Sequence, residues 1–294
     1  MINEKALGLG GGGITGIAWE SGVLAGLIDS GVLVNHADKI LGSSAGSYVG
    51  SILAHGQNMK TYYEQLAINR DNTDNAQLAI NRDNTDNAQL DPSLFELWRE
   101  AFVQGKTDEQ VIGKYLGDII NKNPSPVSLE ERERSVRKRI GNVDWTPQLE
   151  ITAINAQTGA LEVFNESSGI SLIEAVMASG AVPGIWPHVD MLDASWIDGG
   201  MISSTNAQLM ANYKDIIILA PLDQKQGLVP SVYEDVETLK VNSNVTLITP
   251  DQNSRNIIGT NIYSSQHIKE IGDAGYQQGK MIGRDALDEL KHWQ

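Results

Sequence analysis

The first 55 residues alternate between short apolar runs and longer stretches with apolar residues at helical spacing. Ala6 to Leu9 reads as a strand. Gly16 to Ser30 reads as a helix, with Ile17, Val23, Leu24, Leu27 and Ile28 near one face and Gly31 placed to stop it. Ile40 and Leu41 make a second short strand, and a helix follows from about Ala45 to Ala54. This β-α-β-α order predicts a parallel sheet with crossover helices. Residues 93–122 then carry Leu94, Leu97, Trp98, Phe102, Val111, Ile112, Tyr115, Leu116 and Ile119, a helical pattern that Pro124-Ser125-Pro126 breaks. Glu130 to Arg139 is a dense run of both charges and reads as a solvated helix face. Leu149 to Asn155 and Leu161 to Phe164 flank Gln157-Thr158-Gly159 as a hairpin or loop-linked strand pair. A helix over Leu172 to Ser179, a loop over Gly180 to Pro187, strands at Ile216–Leu219 and Val245–Thr249, and a glycine-interrupted helix over 264–292 complete the pattern.

No low-complexity linker separates two cores, so residues 1–294 are expected to form one domain. One segment stands apart. Gln65 to Ala76 recurs without change as Gln77 to Ala88. Two short polar units cannot build a stacked solenoid, so the duplication at 65–88 is expected to be a tolerated surface insert.

Charge and composition narrow the partners. The net charge of −15 leaves no basic excess to neutralise phosphates, which argues against nucleic acid. An anionic membrane would repel the chain on average, so lipid contact is expected only as transient docking through a local patch. The absence of cysteine excludes disulfides and thiolate metal sites. Met1-Ile2-Asn3-Glu4-Lys5 shows no basic region before an apolar run, and no stretch approaches the roughly 18 apolar residues of a membrane span. A cytoplasmic location is the resulting expectation.

Three motifs carry the candidate chemistry. Gly42-Ser43-Ser44-Ala45-Gly46 follows a strand and opens a helix, the setting in which a sharp turn lifts a serine hydroxyl out of a packed sheet. Gly10 to Gly13 lies between the first strand and first helix. Gly8-x-Gly10-x-x-Gly13 and Gly11-x-Gly13-x-x-Gly16 both match the dinucleotide fingerprint by spacing, but Asp38 precedes the second strand instead of ending it. No Lys-Ser/Thr pair completes a P-loop. As an oxyanion site the run makes sense, because glycines leave N–H groups unshielded beside a helix N-terminus. Ser195-Trp196-Ile197-Asp198-Gly199-Gly200 sets an acid beside two glycines. His36, His55, His188, His267 and His292 have undistinguished settings; His188 is the least so, since it follows the Gly180–Pro187 loop. Trp98, Trp186 and Trp196 are read as core.

These motifs, in this order, resemble those of the patatin-like phospholipase family. Gly11-Gly12-Gly13-Ile14-Thr15-Gly16 resembles its oxyanion motif and Gly42–Gly46 its nucleophile elbow. Ala178-Ser179-Gly180-Ala181-Val182-Pro183 resembles a third block, and Asp198-Gly199-Gly200 the aspartate motif. The resemblance implies a three-layer α/β/α fold around a mainly parallel sheet. It implies an acyl hydrolase of lipid esters, needing no cofactor or metal, with Ser44 as nucleophile, Asp198 as base, no catalytic histidine, and the amides around Gly11, Gly12 and Gly13 as oxyanion donors. The family usually places Arg or Lys where Thr15 stands, so a cation is missing at that position and a neutral ester competes with phospholipid as substrate. Transfer of the acyl group to an acceptor other than water, or a silent lipid- or protein-binding member of the fold, are the alternative readings.

Overall fold

The computed structural model of the chain describes residues 4–68, 92–285 and 290–294. Most of the duplicated segment, from residue 69 to 88, lies outside the described residues. Helix α3 (Met59–Ile68) includes the first four residues of the duplicated segment, Gln65 to Ile68.

Strands buried on both faces are nearly continuous in apolar residues, and four strands here read that way. β1 (Lys5–Leu9), β2 (Lys39–Gly42), β7 (Asp215–Leu219) and β3 (Leu149–Asn155) sit inside an eight-stranded sheet with β4 (Leu161–Phe164), β5 (Val189–Met191), β6 (Ala194–Asp198) and β8 (Asn244–Ile248), in the order β5-β6-β3-β2-β1-β7-β8 with β4 also paired to β3. The side chains alternate between two layers. Leu7, Leu9, Ile40, Ile217 and Leu219 face one core with helices α1 (Gly13–Asp29) and α2 (Ala45–Ala54). Ala6, Leu41, Ile216 and Ile218 face the other, against α8 (Val232–Leu239). The result is a three-layer α/β/α fold.

The sheet is mixed. β1–β2, β2–β3, β1–β7 and β7–β8 (Asn244–Ile248) are parallel. β3–β4, β3–β6 and β5–β6 are antiparallel. The hairpin of β5 (Val189–Met191) and β6 (Ala194–Asp198) was not legible as strands. Its tight turn uses Leu192 and Asp193, both at positive φ (51° and 57°), where the usual signal is Asn-Gly. Asp198 therefore ends a strand.

Three helical expectations change. Residues 93–122 form two helices, α4 (Pro92–Gly105) and α5 (Glu109–Lys122), separated where Asp108 caps α5 by accepting from the Val111 N–H at 3.0 Å. Helix α6 (Leu129–Ile140) is not a solvated face throughout: Arg132, Val136 and Ile140 are buried along one stripe. The glycines near the C-terminus do not interrupt α10 (Ile268–Asp285). They let it lie against α1. A Cβ on Gly22 would strike the Gly272 carbonyl, and one on Gly279 the Val23 carbonyl.

Candidate active site

Register brings the two glycine-rich turns together. Leu9 pairs with Gly42, so the loop after β1 and the elbow after β2 leave the sheet side by side. The Ser43 N–H donates to the Leu9 carbonyl at 3.0 Å and the Gly46 N–H to the Gly10 carbonyl at 3.0 Å. A Cβ at Gly46 would land on the Leu9 carbonyl oxygen, and one at Gly42 would lie 2.7 Å from the Gly46 oxygen. The elbow thus needs glycine on both sides of Ser44. Ser44 itself sits at φ 52°, ψ −115°, a strained conformation held by this surrounding structure. The sheet order reverses beside β1, where chains of this architecture leave a crevice at the strand ends.

Asp198 meets Ser44 from the opposite side. β6 pairs with β3 so that Asp198 lies beside Ala153. The Ser44 hydroxyl donates to Asp198 Oδ2 at 2.6 Å, and the Gly200 N–H donates to Oδ1 at 2.7 Å. Burial pushes the Asp198 carboxyl up to about 7, while the hydrogen bonds from Ser44 and Gly200 and the Arg132 charge pull it down. A hydroxyl bonded to a carboxyl that titrates near neutrality has the geometry of a nucleophile and its base. No histidine lines the cavities that meet at Ser44. His292 bonds Asp215 at 2.8 Å, His55 bonds the Ser51 carbonyl at 2.7 Å, and His188 lies 3.6 Å from Asp190.

The three loop glycines divide their parts. The Gly11 N–H donates to the Ser204 carbonyl at 2.8 Å, which fixes the loop and leaves that donor engaged. Gly12 and Gly13, at the start of α1, have N–H groups with no partner among the described residues. Thr15 braces the turn: its N–H and its hydroxyl both donate to the Ile262 carbonyl at 3.2 Å. Glu20 braces it from behind, accepting from the Gly10 N–H at 2.8 Å; its complete burial pushes its carboxyl well above the usual range.

Of the supporting residues, Ser179 and Ala181 lie in the block that resembles the third motif, whereas Asn206 and Thr152 carried no sequence signal. Ser179, at the end of α7 (Leu172–Ser179), accepts from the Ser44 N–H at 2.9 Å, and the Ala181 carbonyl accepts from the Asp198 N–H at 3.1 Å. The Ala178–Pro183 block therefore holds both candidate reactive residues. Asn206 donates to the Gly199 carbonyl at 2.8 Å and lies 2.8 Å from the Ser43 hydroxyl, which itself bonds Thr152 at 2.8 Å. This buried network ties the elbow to the aspartate turn.

A cavity of about 810 Å³ opens over the pair. Gly12, Ser44 and Asp198 lie on its floor, and Trp98, Phe102, Met201 and Leu222 are among its walls. Trp98 therefore lines the cavity, while Trp186 and Trp196 are buried as expected. Phe95, Val103 and Leu228 line the same cavity and are more than half exposed, beside Arg99 and Lys106. Among the described residues no helix is long and apolar enough to cross a membrane.

The α/β/α sheet thus carries a serine elbow, a glycine loop and an apolar cleft at one end of its strands. The chain belongs to the patatin-like phospholipase family, whose model matches residues 7–211, a span that includes all four sequence motifs. No curated protein matches it. Among solved structures it is similar to VipD from Legionella pneumophila, with 13% identity and a TM-score of 0.46 over 99% of this chain and 67% of that one. It is also similar to the type III effector ExoU, at 16% identity and TM-score 0.42, covering 99% of this chain and 53% of that one. The ExoU–SpcU complex from Pseudomonas aeruginosa gives 17% identity and TM-score 0.41, with 99% of this chain and 52% of that one covered. The chain thus spans between about half and two thirds of the length of these three chains.

Proposed function

We propose that this chain hydrolyses fatty-acyl esters through a Ser44–Asp198 dyad and an acyl-enzyme. The observation that carries the reading is the 2.6 Å hydrogen bond from the Ser44 hydroxyl to a buried carboxylate at the floor of an apolar cavity. Asp198 Oδ2 takes the serine proton as Ser44 Oγ bonds to the ester carbonyl carbon. The carbonyl oxygen becomes an oxyanion, and the free N–H groups of Gly12 and Gly13 are the donors available to it, each worth about 10²–10³ in rate. As the carbon–alkoxide bond breaks, Asp198 gives its proton to the leaving oxygen. Water then attacks the acyl-serine. Asp198 accepts the water's proton and returns it to Ser44 as the fatty acid departs.

The cavity fits the acyl part of such a substrate, since its volume lies within the usual range for small-molecule sites and its walls are largely apolar. Exposed Phe95, Val103 and Leu228, with Arg99 and Lys106 among them, support transient contact of this rim with a lipid surface. The test is turnover of a long-chain p-nitrophenyl ester. Asp198→Asn is expected to lower kcat by about 10²–10⁴-fold, the usual contribution of a general base. An Asp198→Asn protein that folds and keeps wild-type kcat would exclude Asp198 as the base.

A further inference from the structure

Tyr263 stands beside the proposed reacting atoms, yet none of the acyl-transfer steps uses it. It comes from the turn between α9 (Gln252–Ile258) and α10, outside all four sequence motifs. The turn is pinned on both sides. The Tyr263 N–H donates to Asn261 Oδ1 at 3.1 Å, and the carbonyl of Ile262 accepts from the N–H and hydroxyl of Thr15 in the first turn of α1. The ring then lies against Gly13: a Cβ there would come 3.3 Å from Tyr263 Cδ1. Beyond Gly13 the ring packs on the apolar cluster that holds Leu94, Val182, Ile185 and Trp186.

Two cavities meet at Ser44, the large apolar one and a second of about 40 Å³, and Tyr263 lines both of them together with Gly13, Ser44 and Val182. The smaller void exceeds the roughly 10–15 Å³ that one water needs, and it is too small for an acyl chain. The Tyr263 ring is half-buried. Its hydroxyl has no hydrogen-bond partner among the described residues, but unlike the hydroxyls of Tyr48 and Tyr62 it is not sealed from the surroundings. Desolvation raises the phenol well above its ordinary range, the Asp198 charge raises it further, and the Arg132 charge opposes both. Tyr263 is therefore protonated at neutral pH, free to donate, and within electrostatic reach of the Asp198 carboxyl.

We propose that Tyr263 is a further catalytic residue, whose hydroxyl donates a hydrogen bond to the leaving oxygen in acylation and then orients the attacking water in deacylation. The role rests on the hydrolase reading above. In that reading the carbonyl oxygen has the N–H groups of Gly12 and Gly13, and the serine proton has Asp198. The leaving oxygen is the remaining atom that gains charge, and a free donor beside both Gly13 and Asp198 fits its place. As the carbon–oxygen bond breaks, the electron pair goes to the leaving oxygen. Tyr263 stabilises it by a hydrogen bond and keeps its own proton, while Asp198 supplies the proton that neutralises it. Water enters where the alcohol left. Asp198 takes one of its protons, and the phenol oxygen accepts a hydrogen bond from the other, which aims the water's lone pair at the acyl carbon.

Tyr263→Phe tests this with two octanoyl esters, one of ethanol and one of p-nitrophenol. Ethoxide is a poor leaving group and needs a donor; p-nitrophenoxide departs as a stable anion. The variant is expected to lower kcat/KM, which reports acylation, by about 10- to 100-fold for the ethyl ester, the range for losing one hydrogen bond to a charged oxygen. For the p-nitrophenyl ester kcat/KM is expected to stay near wild type while kcat falls and the burst of p-nitrophenol grows, because acyl-enzyme accumulates. Thermal unfolding is expected to match wild type, since the phenol makes no hydrogen bond within the protein. A lower unfolding midpoint, or a variant that does not fold, would make the hydroxyl structural and overturn the proposal. So would equal losses of kcat/KM on the two esters, which belong to an oxyanion donor. An unchanged ethyl-ester kcat/KM in the folded variant overturns it too, as does a change confined to the pH profile, which would leave Tyr263 only a neighbour of the Asp198 charge. Wild type that turns over both esters in these cases keeps the hydrolase reading; wild type that cleaves neither removes that reading and the Tyr263 role with it.

Discussion

Asp198 sits where two demands conflict. A base must be ionised to accept the Ser44 proton, yet burial favours its neutral form and brings its carboxyl to about 7. The kcat/KM for a neutral ester is therefore expected to rise with pH through about 7 as Asp198 loses its proton; a profile flat from pH 5 to 9 would exclude an aspartate base of this kind. Stability should run the other way. The folded protein holds this proton more tightly than the unfolded chain, whose aspartates titrate near 3.8. The contribution is fully present below about pH 4 and is lost as pH rises through 7. Asp198→Asn, which cannot ionise, is expected to be more stable than wild type at pH 8, by a few kcal/mol at order of magnitude. Thermal unfolding of the two proteins at pH 5 and pH 8 checks this, and an equal difference at both would contradict it. Ser44 and Asp198 were legible because each sits in a short motif whose glycines answer a backbone need. Arg132 was not, since its neighbours Glu131, Glu133 and Arg134 are all charged. The available signal was spacing: Arg132, Val136 and Ile140 recur every fourth residue and share the buried stripe of α6.

Among the elements, the parallel half of the sheet was the most readable part. Apolar runs mark strands buried on both faces, and the strand-to-helix order fixes their direction. The β5–β6 hairpin escaped because a three-residue strand and a Leu-Asp turn leave no pattern to read. The glycines of α10 looked like breaks for a related reason. A glycine that weakens a helix and one that admits a neighbouring backbone are the same letter, and only the facing Gly22 and Gly26 of α1 distinguish them. The seam makes a firm prediction. Gly22→Ala and Gly279→Ala should each destabilise the protein by about 1–3 kcal/mol, the usual effect of overpacking. Denaturant unfolding measures it. Unchanged stability in both variants would mean that α1 and α10 do not pack this closely.

At the scale of the whole molecule, a chain of net charge −15 exposes three apolar side chains and two cationic residues around one opening. The proposed lipid-facing rim accounts for that concentration. Phe95→Asp with Leu228→Asp should lower hydrolysis of esters in anionic vesicles more than hydrolysis of a soluble short-chain ester, and equal losses on both would place the rim inside the substrate pocket only. The loops, the α4 and α6 helices and the strand ends converge on Ser44 from distant parts of the sequence, and that convergence was beyond any pattern along the chain. The central claim is that Ser44 is the nucleophile that Asp198 activates, and covalent capture tests it most directly. After reaction with a fluorophosphonate, peptide mass mapping is expected to find one adduct, on Ser44, absent from Ser44→Ala and formed far more slowly in Asp198→Asn. Equal labelling of wild type and Ser44→Ala would contradict it.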